Sequence, residues 1–192
     1  MLPENALSSR PEPKAFLLPP RVEPTSSNSF GGTDIGQISD VVFVWSGTAR
    51  GNKAVISNGL VTHEILDLTE EITNFDFGFT QNMSLVVSWE TASGAFIRYY
   101  DSVSHDDKTV KLDRCKNICV NLDDPRDIYS SKSDVIISYQ KMDNSLYVRY
   151  QRDRYSIEIP LSTENLGELK QAGMMEGNRY GWAFTDSHKY KR

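Results

Sequence analysis

The chain is predicted to be all-β: three antiparallel blade-like β-modules, an incomplete propeller or irregular sandwich, with an extended Pro-rich N-terminal arm. Three observations lead there. From Asp40 onward the sequence is a series of short runs rich in Val, Ile, Tyr, Phe and Trp, separated by Gly, Asn, Asp and Ser, which is the texture of strands and turns. Residues 83–101, MSLVVSWETASGAFIRYYD, are echoed by residues 133–153, SDVIISYQKMDNSLYVRYQRD, so that Val87-Ser88-Trp89 answers to Ile137-Ser138-Tyr139 and Arg98-Tyr99 to Arg149-Tyr150. Trp45, Trp89 and Tyr139 each end an apolar run that leads into a hairpin, at spacings of 44 and 50 residues. A period of about 40–50 residues with four short strands per unit is that of propeller blades.

The elements follow in order. Six of the eight prolines lie in the first 24 residues. Proline fixes φ and removes a backbone donor, so residues 1–39 read as an extended arm with Phe16, Leu17 and Leu18 as its apolar cluster. That arm is either a disordered tail or a segment that docks on another part of the protein or on a neighbouring subunit. Residues 40–184 form the β-domain, with modules at about 40–68, 70–112 and 117–161 and a C-terminal edge segment; residues 185–192 are a polar tail. The first module runs DVVFVW, a turn over SGTARGN, KAVIS, an Asn58-Gly59 type I′ turn, then LVTHEILDL. The second runs ITNFDFGF, LVVSW, FIRYYD, TVKL, with Ser93-Gly94 at its hairpin tip. The third runs ICVNLDD, VIISYQK, LYVRYQR, YSIEIPL, with Asp143-Asn144 at the equivalent tip. After Pro160, residues 164–172 are a candidate short helix and RYGWAF a candidate edge strand.

A single four-stranded unit cannot hide both of its faces, so neighbouring modules must stack, with Trp45, Trp89 and Tyr139 as the inter-module core. Three modules are too few to close a ring. Either the sheets pack irregularly or symmetry-related copies cover what is left open.

Composition excludes several functions. A net charge of −5 supplies no basic face for nucleic acid. No run approaches the roughly 18 apolar residues of a membrane span, and the first 25 residues lack the order of a secretory signal. Cys115 and Cys119 are the only cysteines; idle buried thiols, a disulfide and a metal site are all readings of them, in that order. His63, His105 and His188 stand in no ligand spacing, and no phosphate loop or nucleophile elbow occurs. Asp123, Asp124 and Asp127 read as turn chemistry before a cation loop, and Asp76-x-Gly78-x-Thr80 as a β-turn. Arg149, Arg152 and Arg154 interleave with Tyr147, Tyr150 and Tyr155, as in single-strand platforms, yet the alternation is that of a strand buried on one side, with Asp153 ion-paired between two arginines. No catalytic, metal or cofactor-binding residue is expected, and the chain reads as a non-enzyme.

The third module, CVNLDDPRDIYSSKSDVIISYQKMDNSLYVRYQRDRYSIEIPL, and the later QAGMMEGNRYGWAF resemble a module in structural proteins of tailed-bacteriophage virions, where a stretch like ITNFDFGFTQNMSLVVSWE commonly precedes it. The resemblance covers about residues 70–184. It implies a propeller-like component of a tail tip, hub or baseplate, assembled in the host cytoplasm into the virion. Its implied partners are other tail proteins and symmetry-related copies of itself. The alternative is a carbohydrate-binding module that contacts host surface glycans through exposed rings such as Trp182.

Overall fold

The computed structural model describes residues 29–38, 41–80, 84–122, 134–175 and 179–185. Phe16, Leu17 and Leu18 lie outside the described residues, as do Asp123, Asp124, Asp127 and His188. The chain is all-β, with several antiparallel sheets, none closed into a barrel. Strands β1 (Ser29–Ile38), β2 (Val41–Arg50), β3 (Lys53–Ser57) and β4 (Thr62–Asp67) form the first sheet, in that order. Strands β5 (Asn74–Phe79), β6 (Leu85–Thr91), β7 (Gly94–Asp101) and β8 (Asp106–Leu112) form the second. The third contains β9 (Cys115–Leu122), β10 (Val135–Lys141), β11 (Leu146–Tyr150) and β12 (Ile159–Ser162), and a hairpin of β13 (Leu169–Met175) and β14 (Arg179–Phe184) follows. Among the described residues the only helical element is a 3-10 turn at Gln151–Asp153.

The sheets stack in chain order because alternate side chains of each inner strand face opposite neighbours. Val87 and Trp89 of β6, with Phe75, Phe77 and Phe79 of β5, pack against Ala49, Ala54, Ile56 and Leu66 of the first sheet. Val86, Ile97, Tyr99 and Leu112 turn the other way, onto Val120, Ile137 and Tyr139 of the third. Cys119 and Leu146 on the far face of the third sheet meet Leu169 and Ala172 of the hairpin. Each fully buried large side chain in these layers contributes about 1.5–3 kcal/mol relative to exposure. Gly47 sets the spacing of the first two sheets, since a Cβ there would stand 2.5 Å from the Phe77 ring. The first strands lie side by side through the stack, β1 against β5, β5 against β9 and β9 against β13.

The stack ends in a polar face. Ser46, Thr48, Arg50 and Lys53 on the outer side of the first sheet are exposed, and Lys53 bridges Glu64 at 3.1 Å and Asp67 at 3.0 Å. A polar outer face is how a repeat array terminates without a partner.

Several expectations change. The segment assigned to the arm from residue 29 on is strand β1, paired with β2 along its whole length from Ser29↔Arg50 to Ile38↔Val41. SGTAR is no turn: β2 runs on to Arg50, and the reversal falls at Gly51 (φ 60) and Asn52. The Asn58-Gly59 turn is not type I′, because only Gly59 has positive φ (84). Asn58 acts through its side chain, whose Oδ1 accepts the N–H groups of Leu60 and Val61 at 3.0 Å each, an Asx turn. Asp76 sits inside β5 and not in a turn. The short helix expected over 164–172 is absent; Leu169–Met175 is strand, because tertiary contacts override local propensity.

Candidate functional site

The repeated segments build a repeated joint. In the second sheet Trp89 pairs with Phe96 and Val87 with Arg98; in the third, Tyr139 pairs with Tyr147 and Ile137 with Arg149. The two hairpins therefore share one register, and the third sheet's tip is one residue longer. Cross-strand neighbours share a face, so each aromatic pair and its arginine point together at the preceding sheet. Trp89 and Phe96 stack at 5.5 Å with 16° between planes, and Tyr139 and Tyr147 at 6.1 Å with 18°. A lysine caps each pair: Lys111 Nζ is 5.6 Å from the Phe96 centroid, and Lys141 Nζ is 5.6 Å from Tyr139 and 5.4 Å from Tyr147.

The arginines fasten backbone. Arg98 donates to the Ile65 carbonyl of β4, across the sheet boundary. Arg149 donates from Nε to the Tyr139 hydroxyl at 2.8 Å, from one terminal nitrogen to the Tyr155 carbonyl at 2.7 Å, and from the other to Glu158 Oε2 at 3.1 Å. Tyr139 donates its O–H to the same carboxylate oxygen at 2.5 Å, and Lys141 Nζ stands 2.7 Å from it.

The residue after each aromatic joins the next sheet. Glu90 Oε1 accepts the Ile118 N–H of β9 at 3.0 Å and the Asn74 amide at 2.6 Å. Gln140, at the equivalent position, accepts the Leu169 N–H of β13 at 2.6 Å and donates to the Gly167 and Asn144 carbonyls at 2.7 and 2.9 Å. Asp76 adds a second link, accepting the Val120 N–H at 2.9 Å. These are side-chain bonds made where neighbouring sheets cannot form a ladder, so they satisfy strand N–H groups that burial would otherwise leave costly.

Trp89 and Tyr139 are buried, in the cores shared by sheets one and two and by sheets two and three. Trp45 is only half-buried and does not occupy the equivalent place. It lies five residues before the end of β2, with Phe79 at 5.6 Å and His63 at 6.0 Å. The Tyr147 and Arg149 face of β11 meets the second sheet, so this strand is covered on both sides. Asp153 does not hold the two arginines: Arg152 pairs with buried Asp134 at 3.6 Å, and Arg154 with buried Asp101 at 3.5 Å. Trp182 donates its indole N–H to Ser138 Oγ at 2.9 Å and packs on the third sheet, so it is no open glycan platform. Sequence reasoning missed Glu90, Gln140, Lys141 and Glu158. Glu90 and Gln140 become visible once the duplication is extended one residue past the aromatic; Lys141 and Glu158 have no counterpart in the second sheet and leave no such trace.

The electrostatics fit a fastening. Burial, with Glu90 adding to it, pushes the Cys115 thiol up to about 12, far from a reactive thiolate. Burial and the bond to Glu158 raise the Tyr139 phenol above its ordinary range. For Glu158, burial alone would raise the carboxyl, but the bonds from Lys141, Tyr139 and Arg149 outweigh it and hold the group below its usual range. Asp101 is lowered too, first by the Val103 N–H. Both acids have folded pKa values below their unfolded ones. Their stabilisation is therefore complete above about pH 5 and lost as pH falls through the folded values, below about 4. Thermal unfolding followed from pH 6 to pH 3 should show this loss, and Glu158→Gln should flatten its upper part. Among the described residues no group of three His, Cys, Asp or Glu side chains could hold a metal ion.

No protein-family model matches the chain, and neither a curated protein nor a solved structure does. No helix among the described residues is long and apolar enough to cross a membrane.

Proposed function

We propose that this chain is a non-enzymatic structural and adaptor component of a bacteriophage tail. Its sheets are blade-like modules in an open, propeller-like fan that docks on other virion proteins in a symmetric assembly. The observation that carries the structural part is the use made of its polar side chains. Glu90, Gln140, Asp76, Arg98, Arg149 and Glu158 are engaged in joining one sheet to the next or in bracing that joint, which leaves a stiff body and no acid–base pair. The side-by-side series of first strands and the divergence of β4, β8 and β12 support the fan. The virion assignment is supported by the resemblance of the third module and the hairpin to phage tail proteins.

The polar outer face of the first sheet moves the expected docking surface away from the sheet faces and onto the connections. Leu60 (83% exposed) and Val61 lie between β3 and β4, and Val103 (71%) between β7 and β8. The test is quantitative mass spectrometry of washed, intact particles from the host that carries this sequence. The chain is expected there at a copy number that is a multiple of the tail symmetry, and the purified protein is expected to hydrolyse no host glycan. Absence from washed particles overturns the proposal.

A further inference from the structure

The two complete copies of the joint imply what belongs in a third. In each of them the aromatic on the second strand has a ring beside it from the third strand, Phe96 for Trp89 and Tyr147 for Tyr139. That third-strand ring is followed two residues later, on the same face, by an arginine. Phe184 holds the corresponding place in the hairpin. It pairs with Leu169, whose N–H bonds Gln140, just as Ile118, beside Tyr139, bonds Glu90. Yet among the described residues β14 pairs only with β13, and Phe184 remains half-buried where Trp89 and Tyr139 are covered. Beyond β14 the third sheet is also underdressed. Leu161 of β12 is 43% exposed, whereas Leu66 and Leu112, on the outer strands of the first and second sheets, are at 3% and 1%.

The geometry points to the free edge of β14 as a strand-docking edge whose occupant is the chain's own segment Lys189–Arg192. The fitting signature is an aromatic, one residue, then an arginine. It occurs as Phe96-Ile97-Arg98, as Tyr147-Val148-Arg149 and, outside the described residues, as Tyr190-Lys191-Arg192. Spacing agrees as well. Seven residues separate Trp89 from Phe96, eight separate Tyr139 from Tyr147, and six separate Phe184 from Tyr190. Six places Asp186-Ser187-His188 as a three-residue hairpin connection, one of the common lengths. Tyr190 then lies beside Phe184, and Arg192 reaches the backbone of β12 as Arg98 reaches that of β4. An open edge invites pairing with foreign strands, and this segment closes it. The inference rests on the repeated register and is independent of the virion reading.

Hydrogen exchange on the full chain tests it, with Tyr190→Ala, Lys191→Ala and a chain ending at Thr185 as variants. Loss of an aromatic pair and its strand should speed exchange of the β14 amides about tenfold in Tyr190→Ala and in the shortened chain. Lys191→Ala, which alters the opposite face, should leave them unchanged, and β6 and β7 should exchange at the parent rate in all three. Equal exchange in Tyr190→Ala and Lys191→Ala overturns the inference. Protection of β14 that rises with protein concentration also overturns it, because the occupant would then be a second copy.

Discussion

Tyr139→Ala should lower the unfolding free energy by about 3–5 kcal/mol, the range for removing a large aromatic from a core. Tyr139 is fully buried, it stacks on Tyr147, and its hydroxyl both accepts from Arg149 and donates to Glu158. Truncation therefore opens a cavity between the second and third sheets and removes one of the groups that hold Glu158 in place. Tyr139→Phe separates the two contributions. It keeps the ring and deletes only the hydroxyl, so it should cost about 1–2 kcal/mol. Urea unfolding of both variants measures the difference, and equal costs would mean that the ring fills no core.

The second large effect is expected at Arg149. Its side chain is 16% exposed and that of Glu158 28%, so the pair is mostly desolvated. Arg149→Met keeps most of the side-chain volume but leaves the Tyr155 carbonyl without its donor and Glu158 with Lys141 and Tyr139 only. Breaking a buried pair from one side costs about 3–5 kcal/mol, and the partial exposure and the remaining lysine place this case at the lower end. The double variant Arg149→Met/Glu158→Gln should recover part of the loss, since it removes the stranded charge as well. A double variant less stable than the sum of the singles would contradict this reading of the pair.

Much of this architecture was legible because the chain repeats itself. The strand cores around Trp89 and Tyr139 could be placed from the echo of LVVSW in VIISY. Their equivalence holds to the level of paired residues, since aromatic and arginine recur at matching register positions. Trp45 misled because an apolar run that ends in Trp looks the same whether the strand stops there or continues. The polar residues Ser46 to Arg50 continue it, and they do so because only Gly47 and Ala49 need to face inward. The Asn58-Gly59 pair signals a reversal, but its type depends on loop length, and four residues separate β3 from β4.

The segment 164–172 failed for a different reason. Its composition suits a short helix, and what makes it strand is Gln140, distant in sequence, which captures the Leu169 N–H. A bond between sheets leaves no local trace. The same holds for Glu90 and Asp76, whose carboxylates serve strand N–H groups 28 and 44 residues away. Charged residues within strand runs read locally as solvent-facing, and here they are the pins of the stack.

A density map of the assembled particle would test the central claim most directly. The account predicts this chain in the tail as repeated copies, with the first strands of successive sheets side by side and contacts to neighbouring tail proteins made through the connections near Leu60 and Val103. A particle whose tail density is fully explained by other chains, with this one recovered only from the soluble lysate, would contradict it.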